Sequence, residues 1–408
     1  MDDMDDQARA IGRRVQYWRQ RRNLDRKQFA DMVDRSTSWL DKIEKGERKL
    51  LRLPMLDRVA EVLGVDPAAL TDGSMARRAA RCVDAVEVQT IREALGWYPS
   101  LSVEDGEQEP KLDRVAKQLK YVDQAWLSSH FTVVVRHLPK LLREAQMLAI
   151  AVQPSDQVAA SRTLVMAYRL ASSMLLKFEI NDVAWLAADR AMQTAFAVDD
   201  TLALARATRS VARSLTSTGQ LTSAINALTG MADRMRPELA TQADDLLSLY
   251  GMLYLAASIA AAKQEDADTA LIMHEQAQAA AENLGPHYEM HQTFFGHTNV
   301  ALHRVAALVR LHEPGRASEY AHNIDPGSIS ILPPERKVNY MLDITTAHTE
   351  AGHYAEAARA LVEAERVAPE EVHCRSLAHG LIRTVLKNTS GDLGCSVLRM
   401  ASRAGVTV

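Results

Sequence analysis

The stretch DRKQFADMVDRSTSWLDKIEKGER, Asp25–Arg48, decides the reading of the whole chain, because its caps and apolar positions define two short helices joined by a tight turn. Asp25 is a good N-cap, and Gln28 stands at the reciprocal capping-box position three residues on. Phe29, Ala30 and Val33 then fall on one face. The turn is Asp34-Arg35-Ser36, Ser36 caps the second helix, Leu40 and Ile43 point inward, and Gly46 ends it. This second helix opens Thr-Ser-Trp and carries Asp41 and Glu44 beside Lys42 and Lys45, an unusual charge mixture for a surface that meets a polyanion.

Working outward, Ile11, Val15 and Trp18 recur at helical spacing before it, in a helix ending in the basic RQRRN. After it, LPMLDRVAEVLG begins with Pro54 near its start and stops at Gly64, and VDPAAL places Asp before Pro, the mark of another helix start. Two helices joined by so short a turn make a helix-turn-helix, whose second helix lies in the DNA major groove. Over about 60 residues the segments LDRKQFADMV, STSWLDKIEKGER and LDRVAEVLGVDPAAL follow the order and spacing of the Xre/phage-repressor family, which this part of the chain resembles. The resemblance implies that Thr37, Ser38 and Lys42 face base edges with Trp39 beside them. It implies that Arg26 and Lys27, with Gln28 on the same turn, meet phosphate, helped by the helix N-terminal amides. Arg48, Lys49 and Arg52 lie where the family touches the DNA backbone or the minor groove. Asp41 can accept from a cytosine amino group, and Glu44 occupies a position often acidic in that family. The first turn of the reading helix has no Arg, Asn or Gln, the strong base readers, so direct readout is expected to be modest and supplemented by dimer spacing and DNA shape.

The chain is 408 residues long, too long for one ordinary core. Abundant alanine with few aromatics and glycines favours helix over sheet. The net charge of −4 conceals an asymmetry: Gln7–Asp72 carries 15 Lys/Arg against 10 Asp/Glu, while the remainder is acidic. A basic module on an acidic body points to nucleic acid at one end only. Cys82, Cys374 and Cys395 have no metal spacing and read as reduced thiols, and the acidic N-terminus has no apolar signal core, so the expected location is the cytoplasm. The uncharged run Leu246–Ala262 is at the short limit of a membrane span and reads as a buried helix of a helical domain; no membrane association is expected.

Residues 73 to about 98 read as a connecting helix, and PSLSVEDGEQEP as the best hinge in the chain. Beyond it a helix-turn-helix unit recurs. The clearest copy, ITTAHTEAGHYAEAARALVEAERVAP (Ile344–Pro369), resembles a tetratricopeptide repeat: Gly352, Tyr354 and Ala357 follow its corner, and Leu361, Ala364 and Pro369 continue its register. LTSTGQLTSAINAL repeats the corner at Gly219, Leu221 and Ala224. Looser copies lie around Ala270 and Ala277, around Ala317, and around Asp182, with corners roughly 40 to 47 residues apart. Stacked pairs of this kind build a superhelix with a concave inner face. The whole layout resembles Xre-type regulators with a tetratricopeptide sensor domain, as in peptide-pheromone receptors, and is closer still to regulators of high-GC Gram-positive bacteria through TFFGHTNVALHRVAALVRLHEPGRA and PERKVNYMLDITTAH.

TFFGHTNVALHR breaks the alanine-rich pattern with aromatics and amide-bearing residues, so Phe295, His297, Asn299 and His303 are candidate ligand-binding residues, with Arg336 and Asn339 of the next repeat. HYEMH places His287 and His291 one helical turn apart, but Glu289 is misplaced for a zinc-protease motif and no thiolates are near, so no metal and no cofactor are expected. The chain has no nucleophile elbow, phosphate loop or dinucleotide fingerprint, and an enzyme is not expected. The expectation is an all-α protein: a phage-repressor-like helix-turn-helix domain at 1–72, a connecting helix and loop at 73–110, and a tetratricopeptide-like α-solenoid for sensing and dimerisation at 111–408. Its implied partners are a palindromic double-stranded DNA operator, a peptide or small-molecule signal, and a second copy of itself. Two other readings compete, an interaction scaffold with a weak DNA anchor and a plasmid- or phage-type repressor without a ligand.

Overall fold

A computed structural model describes residues 2–22, 24–50, 53–73, 83–101, 110–239, 244–285 and 293–407. Arg52, Cys82, His287 and His291, and most of the PSLSVEDGEQEP segment, lie outside the described residues. The architecture is all-α, with no strand among the described residues. The chain divides into two compact units, Met1–Thr90 and Ile91–Val408.

The first unit contains α1 (Asp2–Arg21), α2 (Arg26–Met32), α3 (Thr37–Glu44), α4 (Leu53–Leu63), the single turn α5 (Ala68–Thr71) and the start of α6 (Ala85–Gly96). Its core contains the positions its periodicity predicts, Ile11, Val15 and Trp18 of α1, Phe29, Ala30 and Val33 around α2, and Leu40 and Ile43 of α3, and adds Trp39 of α3 with Leu56, Val59 and Leu63 of α4. Gly12 lets α1 cross the end of α3, since a Cβ there would lie 2.2 Å from the Ile43 carbonyl oxygen. Two ion pairs tie α6 to this core. Buried Arg21 donates to Glu87 at 2.6 and 2.9 Å, and Arg22 donates to the Leu63 carbonyl at 2.7 Å and to Asp84 at 2.6 Å.

The second unit is a solenoid of helix hairpins: α7 (Leu112–Leu127) with α8 (Phe131–Ala151), α9 (Gln157–Lys177) with α10 (Asn181–Val198), and α11 (Thr201–Ser217) with α12 (Leu221–Leu239). Then come α13 (Asp244–Lys263) with α14 (Ala267–Leu284), and α15 (His297–Arg310) with α16 (Pro314–His322). After the short α17 (Pro326–Ser330), α18 (Pro334–Glu350) pairs with α19 (Tyr354–Val367). The short α20 (Pro369–His373) leads to the pair α21 (Ser376–Asn388) and α22 (Gly391–Ala404).

Six corners share one geometry. Each has a single left-handed residue: Ser129, Glu179, Gly219, Glu265, His312 and Gly352. The next amide donates to the carbonyl five residues back, at 2.8 to 3.0 Å, as in Ile180 to Leu175, Gln220 to Leu215 and His353 to His348. This is the Schellman closure, which satisfies the last carbonyls of the first helix while reversing the chain. Five residues after each left-handed residue stands Val134, Ala184, Ala224, Ala270, Ala317 or Ala357, all fully buried. A small side chain at that point allows the paired helices to approach closely. The apolar run Leu246–Ala262 is in α13, the one described helix long and apolar enough to cross a membrane, and most of it is buried inside this unit.

Candidate nucleic-acid interface and ligand cavity

The interface is assembled by the caps of α2 and α3. Asp25 accepts from the Gln28 amide at 2.8 Å while the Gln28 side-chain oxygen accepts from the Asp25 amide at 3.0 Å, so the capping box is complete. The oxygen of Gln28 is thus occupied within the cap, and the residue is otherwise exposed. Asp34 is left-handed, and the Arg35 amide donates to the Ala30 carbonyl at 2.9 Å, the same closure as in the solenoid corners. Ser36 then accepts from the Trp39 amide at 3.1 Å and starts α3.

Thr37, Ser38 and Lys42 are exposed on one side of α3, and Lys27 is exposed at the start of α2. Arg48 and Lys49 are also exposed. Trp39, placed beside the base-facing residues by the resemblance, is 8 % exposed and belongs to the apolar core. The acids of α3 have internal partners. Glu44 is buried and accepts from Arg19 at 2.6 and 3.3 Å and from Arg26 at 3.1 Å, linking α1, α2 and α3 through one carboxylate. Asp41 pairs with Lys45 at 2.7 Å and lies 3.8 Å from Arg26, and its hydrogen bond with Lys45 holds its carboxyl below the usual range. The acidic charge on α3 is therefore compensated within the fold, and Arg26, half exposed, is partly engaged in that compensation.

These residues fall inside a match to the family model described as a helix-turn-helix domain, which spans residues 10–72. Residues 10–72 are a helix-turn-helix domain. The second helix of its helix-turn-helix pair is α3, and in such domains that helix enters the DNA major groove. No curated protein matches the chain. Among solved structures the chain is similar to Bacillus thuringiensis PlcR, crystallised in complex with the peptide PapR7 and DNA, at 13% sequence identity and a TM-score of 0.38, covering 86% of this chain and 99% of that one.

In the second unit, a cavity of about 400 Å³ is lined mainly by the first helix of each hairpin, α7, α9, α11, α13, α15 and α18. Of the candidate ligand residues, His303, Arg336 and Asn339 line it. His297 is exposed and not on the lining. Phe295 is fully buried behind the wall, packed so closely on Gly251 that a Cβ there would lie 2.0 Å from its ring, and the aromatic on the wall is its neighbour Phe294. Asn299 is fully buried too, its amide nitrogen 3.5 Å from the Met252 sulfur. His303 Nδ1 donates to the Asn299 carbonyl at 2.8 Å, which leaves Nε2 as an acceptor. Burial, aided by the charges of Arg336 and Arg209, pushes His303 down to about 3, so the imidazole is neutral near pH 7.

Sequence reasoning found Arg336 but missed the other arginines of this cavity. Arg206, Arg209 and Arg213 of α11, with Arg169 of α9, all line it. Their signal was present as positions 206, 209 and 213, an i, i+3, i+7 series on an alanine-rich helix. Arginine at that spacing reads as a solvated face, and only the stacking of neighbouring pairs turns that face inward. Among the described residues no group of His, Cys, Asp or Glu could hold a metal ion.

Proposed function

We propose that this chain is a cytoplasmic, homodimeric transcription regulator that reads a two-half-site, palindromic operator through α3 and binds a peptide or small-molecule signal in its solenoid cavity. The observation that carries the reading is the division of labour on α3: Thr37, Ser38 and Lys42 are exposed, while Glu44 is buried against Arg19 and fixes the helix. Arg26, Lys27, Gln28, Arg48, Lys49 and Arg52 supply the phosphate-facing set around it. The cavity supports the signal-binding half, being concave, enclosed by several repeats and lined by both polar and apolar groups. The resulting mechanism is a population shift. A ligand that prefers one curvature of the solenoid changes the separation of the two reading heads, and only its differential affinity for the two arrangements can move the equilibrium.

Selection of bound fragments from random DNA, followed by affinity measurement against scrambled DNA over a salt series, tests the reading. The expected result is a palindromic winner with a specificity ratio of about 10³ or more. A ratio near one would overturn it in favour of a scaffold with a nonspecific DNA anchor.

A further inference from the structure

Eight basic side chains line the solenoid cavity against three acidic ones, in a chain whose overall charge is negative. The three acids already have partners. Asp123 accepts from Arg169 at 2.5 Å, Asp343 accepts from Arg310 at 3.0 Å, and Glu335 pairs with Lys177 at 3.0 Å. Arg375 is held by Glu371 and Asn339 at 2.9 and 2.8 Å. Arg209, Arg213, Lys263 and Arg336 are left without a carboxylate within ion-pair distance among the described residues; Arg213 donates only to the Ser173 hydroxyl, at 2.9 Å. The Nε atoms of Arg209 and Arg336 are buried and have no hydrogen-bond partner.

Such an arrangement is costly on its own. Burial, and then the repulsion of Arg336 and Arg213, drives Arg209 well below its usual range, and burial lowers Arg213 to about 10. Buried guanidinium groups are normally matched by carboxylates or phosphates, whose geometry fits their planar fork. Here the protein supplies the cations from two helices, α11 and α18, and the one acid whose charge reaches them, Glu335, is already paired with Lys177. We infer that the cavity is a receptor for an oxyanion, a carboxylate or phosphoryl group carried by the ligand and held between Arg209 and Arg336. Neutral His303 beside them offers Nε2 as an acceptor, so it suits a hydroxyl or amide donor on the same ligand. The inference rests on the signal-binding half of the proposed function and names the chemistry of that signal.

The test uses the full chain without DNA. Tm is measured with inorganic phosphate, sodium pyrophosphate or citrate, each against sodium chloride at equal ionic strength. At least one anion is expected to raise Tm by about 3 °C or more beyond its chloride control. Arg209→Met and Arg336→Met should each abolish that rise, and each should melt higher than the original chain when no anion is added, because a half-buried charge without a carboxylate partner has been removed. Arg316→Met, at an exposed ion pair of α16, should respond as the original chain does. Response to citrate alone assigns a carboxylate ligand, and response to phosphate or pyrophosphate alone a phosphoryl one. No rise above chloride with any of the three, or an undiminished rise in both cavity variants, overturns the inference. Because DNA is absent, failure of operator selection leaves this result standing, and a negative result here leaves the reading of α3 intact.

Discussion

Glu44 accounts for the acid on the proposed reading helix: it is a structural anion, buried between Arg19 and Arg26. Removing one partner of a buried pair strands the other, so Glu44→Gln should destabilise the helix-turn-helix domain by about 3 kcal/mol, measured by urea unfolding. The exposed side behaves differently. Lys42→Ala should leave urea unfolding unchanged while weakening the selected operator by about 1–3 kcal/mol and relaxing one base position. Lys27→Ala should instead weaken all DNA alike and reduce the salt slope by about 1. In the cavity, His303 gains its proton far more readily unfolded than folded, because the fold depresses it from 6.5 to about 3. Its contribution is therefore complete above about pH 6.5 and is lost progressively as pH falls toward 3. Stability should drop by about 2 kcal/mol between pH 7 and pH 5 on its account, and His303→Gln should remove that part of the slope in a denaturant titration. At this scale the Asp25–Gln28 capping box was legible, since both partners lie within three residues. The Glu44–Arg19 pair was not, because its members are 25 residues apart and either could have been solvated.

The recurring element is the corner, and the same backbone closure serves the turn before α3 and six turns of the solenoid. Gly219 and Gly352 made two corners visible in the sequence, because glycine adopts the left-handed conformation without a Cβ clash. Ser129, Glu179, Glu265 and His312 adopt it as well, at a cost, and no residue type announced them. Glu179→Gly and Glu265→Gly should therefore stabilise the solenoid by about 0.5–1 kcal/mol each, and Gly352→Ala should destabilise it by about 1 kcal/mol, read as shifts in denaturation midpoint. The buried position five residues later was the better guide: alanine at 224, 270, 317 and 357 marked the second helix of a pair even where the corner itself was disguised.

Within the solenoid, the first two hairpins meet the last repeats. The Thr132 amide and hydroxyl donate to Glu370 at 2.9 and 3.0 Å, Ser129 donates to Glu371 at 3.1 Å, and Lys177 contacts both Glu371 and Glu335. An open solenoid holds only neighbour contacts and can melt piecemeal, whereas the links of Glu370 and Glu371 join residues 194 to 242 positions apart. The second unit should consequently unfold in a single calorimetric transition. Glu371→Ala, by leaving buried Lys177 with Glu335 alone and Arg375 without its carboxylate, should lower its stability by about 3 kcal/mol and broaden or split that transition. Sequence alone determined what is decided over a few residues: helix caps, the turn before α3, the alanine register and thus an all-α chain with a reading helix and a repeat. Tertiary structure alone decided which charges are compensated and which side of each helix is inside. An arginine at a given spacing has the same local preferences on either face, and its free energy depends on partners brought near it by packing. That is why the carboxylate of Glu44 proved to be a hub, Phe294 and not Phe295 faces the cavity, and Arg209 and Arg336 stand together in the wall without an anion of their own.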